Sequence, residues 1–282
     1  MRPDPGRHPR DPVRSHGAGW HSLGAVDPAT VGNWVEEVAA ARLSCPQGRY
    51  VAGAFLGAQL ARAVLVAPTL ALATERRAPD VAGPNLAVHR GADATIDGVA
   101  LVRPRFGALR GDPAAAHPDA VVFEEMAALR EWVAERAGGT LAPLFSAIRG
   151  CTGYSVRARW GQAADRVGGA VWSARRLGAD AALMERVWQE GVALIDRLSA
   201  YAPALVVRPS RLVVEWSGGT EVLSVRGTCC LYRRRSEAQV DPGHPCCRTC
   251  PIQSSAGRLE RVGLFLEEEA ARHRAAAVAG RV

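Results

Sequence analysis

Lysine is absent from this chain; all 35 basic side chains are arginine. With so much alanine and glycine, that absence marks a coding bias more than a functional choice. Aromatic residues make up only 6% of the 282 residues, so a core must be built from Ala, Val and Leu. Hydrophobic content of 48% is enough for one, which excludes a disordered protein. The first residues, Met1 to Asp11, contain no apolar stretch of the kind that opens a secretory signal. Glycine-rich nucleotide loops, HExxH and GxSxG are missing too, which removes the common signatures of nucleotide, zinc-protease and serine-hydrolase chemistry. The formal charge of +7 is not accompanied by a nucleic-acid recognition motif. It suits instead an anionic small ligand, an acidic protein or, at most, peripheral contact with the inner face of a membrane.

What is present is a concentration of cysteine. Cys229, Cys230, Cys246, Cys247 and Cys250 fall within 22 residues, and only Cys45 and Cys151 lie elsewhere. These two have no partners at motif spacing and read as ordinary small residues. Three chemistries compete for the cluster: an iron–sulfur site, a structural zinc site, or disulfides. The count is odd and no secretory signal is seen, so a reducing cytoplasm is expected, which counts against disulfides. Zinc usually takes two CxxC knuckles. Only Cys247-Arg248-Thr249-Cys250 has that spacing; Cys229 and Cys230 are adjacent, and adjacent side chains at a strand end point to opposite faces. A binuclear [2Fe–2S] cluster tolerates this better, because its ligands are shared between two irons. Spacing favours the cluster without excluding zinc. Cys247 forms the CxxC with Cys250 and is preferred over Cys246 as a ligand. His244 reads as a loop residue, since a Rieske centre needs two histidines.

The remaining pattern predicts one α+β domain of helices and β-hairpins. Residues 1 to 20 read as a disordered, proline-rich tail. Asp27-Pro28 begins a helix to about Leu43, ended by Cys45-Pro46. Tyr50 to Ala73 is apolar enough for a membrane span, but Gln59, Arg62 and Pro68 interrupt it, so it reads as one or two buried helices. Two strands are expected over Asn85–Arg90 and Ala94–Val102, then a loop over Pro104–Pro118. A helix is expected from Pro118 to Gly138-Gly139, and another over Leu141–Ile148. Further helices are read over Trp160–Leu177 and Asp180–Tyr201. A hairpin turning at Ser217-Gly218-Gly219-Thr220 runs straight into Cys229-Cys230. A flexible loop, Ser236 to Pro245, separates the cysteine groups. A helix of about Gly257–Val278 closes the chain, with Glu267-Glu268-Glu269 as a solvated face. The chain thus divides into a tail (1–20), a body (21–225), a cysteine motif (226–255) and a final helix (256–282).

Cys229-Cys230-Leu231-Tyr232, a basic stretch, then Cys247-Arg248-Thr249-Cys250-Pro251-Ile252 resembles the C-terminal signature of the ferric siderophore reductase family. Its spacer is longer than the family's, and Cys246 is additional. The apolar stretch from Tyr50 through Pro79-Asp80, the hairpin and the Trp160-Gly161 region resemble the family's body more loosely. The resemblance implies a [2Fe–2S] cluster held by Cys229, Cys230, Cys247 and Cys250, on a scaffold like part of the siderophore synthetases. It implies one-electron reduction of a ferric siderophore of hydroxamate type, with electrons from a separate protein such as a ferredoxin or flavin reductase. Arg226, Arg233, Arg234, Arg235 and Arg248 flank the cluster in sequence, where positive charge would raise its potential; Arg233 to Arg235 read equally as a solvated turn. Alternatives are a zinc-stabilised binding module without redox activity, and a synthetase relative that binds siderophore without reducing it.

Overall fold

The computed structural model describes residues 18–43, 47–231, 234 and 246–279. Most of the tail, Cys45-Pro46, Tyr232, Arg233, Arg235 and the 236–245 loop with His244 lie outside the described residues. The architecture is α+β: seven helices, two three-stranded sheets and a hairpin among those residues.

β1 (Trp20–Ser22) opens the described chain. Helix α1 (Pro28–Arg42) starts as its caps dictate: the Asp27 carboxylate accepts from Thr30 N at 2.7 Å, with proline in the first turn. Helix α2 (Gly48–Glu75) is a single helix running through Pro68. It is long and apolar enough to cross a bilayer, yet much of it is buried inside the protein. Leu56, Leu60, Val64 and Leu72 are all essentially inaccessible to solvent.

β3 (Leu86–Arg90) and β4 (Ile96–Leu101) pair antiparallel, and β1 adds to β3's other edge. The expected loop over Pro104–Pro118 contains a strand, β5 (Phe106–Leu109). It lies between β2 (Arg77–Pro79) and β6 (Ala120–Phe123), antiparallel to the first and parallel to the second. The helix expected from Pro118 therefore begins later. Val121 and Val122 are β-branched and join the sheet, and helix α3 starts at Met126.

α3 (Met126–Thr152) also continues where two helices were expected, through Gly138-Gly139 and Pro143. Gly138 serves packing here. A Cβ at that position would stand 2.7 Å from Tyr201 Cβ, so glycine lets α3 approach α6 (Ala181–Tyr201). Asp180 caps α6, accepting from Leu183 N at 2.7 Å. Between them, the Trp160–Leu177 region forms two helices, α4 (Val156–Gly168) and α5 (Ala170–Arg176), broken at Gly169.

The main core joins α1, α2, α3, α4 and α6. The hairpin, β7 (Ser210–Trp216) and β8 (Gly219–Val225), sits apart from it. Val222 packs with α5 and α6, while Val214 and Leu223 pack against Val262 and Leu266 of the last helix, α7 (Ser255–Ala279). The acidic stretch of α7 is not merely a solvated face. Glu267 accepts from Ser217 N at 2.8 Å and Ser217 Oγ at 2.6 Å, tying off the hairpin turn. Glu269 pairs with Arg175.

Candidate metal centre

Strand β8 ends at Val225, and the chain passes directly to the cysteines. Two contacts hold this passage. Arg226 N donates to Thr249 O at 3.2 Å, which joins the strand end to the CxxC turn. The Asp165 carboxylate of α4 accepts from Gly227 N at 2.7 Å and Thr228 N at 3.1 Å. Gly161, one turn earlier on α4, leaves no room for a side chain; a Cβ there would collide with Thr228 Oγ1. The cysteine loop is thus docked on α4 by a carboxylate and by a missing methyl group. Asp165 is buried, and burial pushes its pKa up to about 7 despite the two backbone donors and Arg226 nearby.

None of the six described cysteines is in a disulfide. The Cys230 and Cys247 Sγ atoms are in contact at 3.6 Å. That shared contact, with burial, raises the Cys247 pKa, against the lowering effect of Arg226. Cys250 is buried and closes a turn on Cys247, its N–H reaching the Cys247 carbonyl at 3.0 Å. Cys229 lies close enough to Cys230, Cys250 and Cys246 for their charges to raise its pKa, behind the larger effect of burial. Leu231, at a left-handed φ of 58°, turns its N–H back to Cys229 Sγ at 3.4 Å. Cys246 is half-buried, and its carbonyl accepts from Arg261. Cys151 lies apart on α3.

Two thiolates on one tetrahedral ion, with metal–sulfur bonds of about 2.3 Å, stand about 3.8 Å apart. The Cys230–Cys247 separation matches two ligands of a single metal atom. The donor set, four or five soft thiols on one loop system, is that of zinc or an iron–sulfur cluster. The sulfurs do not meet at one point: among the described residues, no three His, Cys, Asp or Glu side chains converge closely enough to hold a metal ion.

Around the thiols lies a shell of positive charge that the sequence reading only partly located. Arg226 faces Cys247, whereas Arg248 lies over the Phe265 ring at 3.5 Å and Arg234 reaches Gln47. From α4, Arg166 feels the Cys230 thiol and lines the same wall. Arg159, Gln162 and Arg166 recur at three- and four-residue intervals and therefore share one face of that helix. Arg159 is fully buried, its guanidinium 5.7 Å from the Tyr154 ring, with none of its three nitrogens hydrogen-bonded to a described residue. Burial lowers its pKa to about 10. Tyr154 in turn feels the Cys229 and Cys230 thiols, after burial and Tyr50. A polar stripe within an otherwise apolar helix was the available signal, in Arg159-Trp160-Gly161-Gln162-Ala163-Ala164-Asp165-Arg166.

Cys230 and Cys247 also line a cleft of about 710 Å³ between α2, α4 and β4. Gln59 and Arg62, which interrupt the apolar run of α2, both face it. Gln59 Oε1 accepts from Ile96 N at 2.6 Å and fixes β4 against α2. A smaller cavity of about 310 Å³ opens beyond, sharing Arg62, Arg166, Arg226 and Cys247. No family model, curated protein or solved structure matches the chain.

Proposed function

We propose that the protein is a cytoplasmic ferric-chelate reductase that takes ferric siderophores and releases Fe(II), with a [2Fe–2S] cluster held by Cys229, Cys230, Cys247 and Cys250. The observation that carries this reading is the position of Cys230 and Cys247, 3.6 Å apart in the wall of a cleft sized for a small molecule. Cys229, Cys230, Cys247 and Cys250 would hold the cluster, which would supply one electron at a time. Asp165 holds the first cysteine pair on α4, and the Arg226–Thr249 hydrogen bond holds the second against the strand end. The Leu231 N–H stabilises thiolate character at Cys229. Arg166 and Arg226 offset the negative charge of the thiolates, which favours the reduced state. The apolar wall of α2 covers one side of a chelate seated in the cleft and limits the water around it.

The substrate chemistry agrees. Anionic hydroxamate oxygens hold the hard Fe(III) ion far better than Fe(II). One electron gained by the chelated iron therefore loosens the chelate, and the ligand leaves intact. The chain carries no nucleotide fingerprint, so that electron comes from a separate protein, a reduced ferredoxin or flavoprotein.

Anaerobically purified protein is expected to be red-brown, with two irons and two sulfides per chain. Once reduced, it should convert a ferric hydroxamate to Fe(II), trapped by a ferrous chelator. Cys229→Ser, Cys230→Ser, Cys247→Ser and Cys250→Ser should each remove the visible spectrum, and Cys246→Ser should retain it. A colourless protein with one zinc per chain would establish the second reading, a zinc-stabilised binding module. The same 3.6 Å sulfur separation favours that reading as the alternative, because zinc and iron share this ligand geometry.

A further inference from the structure

We infer that the cleft beside Cys230 and Cys247 selects chelates of net negative charge, such as those whose ligand carries free carboxylates, through Arg62, Arg166 and Arg226. The identity of the ligand as a ferric chelate rests on the reductase reading; its charge class rests on the cleft.

The three arginines come from separate elements: Arg62 from the middle of α2, Arg166 from α4 and Arg226 from the end of β8. All three line both cavities. Several arginines elsewhere are matched with carboxylates: Arg77 with Asp112, Arg90 with Glu37, Arg130 with Glu190, Arg175 with Glu221. The side chains of the cleft trio make no ion pair or hydrogen bond among the described residues. Arg226 and Arg62 repel the half-buried Arg166 guanidinium. Asp165 and the thiols attract Arg166 and Arg226, yet three guanidinium groups gathered at one low-dielectric wall still favour a further anion in the cleft.

The carboxylates of the same cavities are already engaged. Asp97 holds His89 at 2.6 Å, Asp165 takes the Gly227 and Thr228 N–H groups, and Glu269 holds Arg175. Gln162 adds a second, independent sign. It is 2% exposed, lines the cleft, and neither its Oε1 nor its Nε2 has a hydrogen-bond partner. A buried amide without partners costs free energy that a polar ligand recovers. Around Arg62 on α2, Ala58, Ala63, Val66 and Leu70 supply apolar lining for the ligand's carbon frame. Three arginines and an unpartnered amide set in hydrocarbon describe a carboxylate-bearing chelate better than a neutral or cationic one.

Gallium(III) chelates separate binding from electron transfer, because Ga(III) is not reduced under these conditions. Binding to the purified full chain would be measured for three: a citrate-based dihydroxamate (anionic), a cyclic trihydroxamate (neutral) and an amine-bearing linear trihydroxamate (cationic). The anionic chelate should bind about tenfold or more tightly than the neutral one, and salt should weaken it. Arg62→Gln, on an exposed side chain, should cost the anionic chelate about tenfold and leave the neutral one unchanged. Equal affinity for all three, a loss in Arg62→Gln shared by the neutral chelate, or no binding by any of them would overturn the inference. A preference for anionic gallium chelates in a protein that proves to hold zinc would leave the inference standing and remove the reductase reading.

Discussion

Helix α2 is enclosed by its neighbours, whereas α7 meets the rest of the protein along one narrow stripe. Leu56, Leu60, Ala61, Val64, Leu65 and Leu72 of α2 are all buried in the main core. Among the residues of α7 whose burial is described, only Val262 and Leu266 are fully buried, while Leu259 and Leu264 are exposed. The body is held by apolar burial. The C-terminal part leans on a four-residue core, on Glu267 and Glu269, and on the Asp165 contact with the cysteine loop. A small core suits the proposed centre: where burial is slight, a metal that bound only the folded loop would contribute stability that packing cannot.

Core truncations break the comparison most strongly. Leu60→Ala and Leu266→Ala both empty fully buried sites, and each should cost about 3 kcal/mol. The first should lower the global melting transition. The second should open α7 and the hairpin while the body stays folded, read by hydrogen exchange over 210–279 and by loss of metal uptake. If Leu266→Ala instead lowers one cooperative transition as Leu60→Ala does, the two regions form a single unit.

Gly161→Ala tests the docking of the cysteine loop. Its Cβ collides with Thr228, and overpacking of this kind costs about 2 kcal/mol. Metal retention should fall while far-ultraviolet circular dichroism changes little. The Asp165 contact should then show a pH signature. Its folded pKa lies near 7, above the ordinary carboxylate value, so the stability it contributes is present in acid and is lost as pH rises through about 7. Melting temperature should fall between pH 5 and about 8, and Asp165→Asn should flatten that slope. A slope that survives the substitution assigns the titration elsewhere. The smallest effect belongs to the body's surface: Asp180→Ala removes the α6 cap and should cost about 1 kcal/mol of global stability, with metal content unchanged.

The strongly patterned elements were legible from the sequence. Asp27-Pro28 and Asp180 marked the starts of α1 and α6, and the alternating run before Ser217-Gly218 marked the hairpin. Two kinds of element were misread. Gly138-Gly139 and Pro143 are helix breakers in isolation, but α3 runs through them because packing against α6 outweighs their local cost. Phe106–Leu109 and Ala120–Phe123 are too short to carry a period, and only pairing within the sheet, with each other and with Arg77–Pro79, makes them strands.

The same division runs through the candidate site. The sequence by itself determined the donor chemistry: five thiols in 22 residues, delivered by a hairpin, with an arginine-rich neighbourhood. Local spacing suffices for that, because the five thiols are close along the chain. Only the tertiary structure decided that Cys230 meets Cys247, that Asp165 pins their loop, and that Arg62 and Gln162 turn toward the same cleft from different helices. Those residues stand far apart in sequence. A lone arginine in an apolar helix reads as an interruption until the fold shows what it faces.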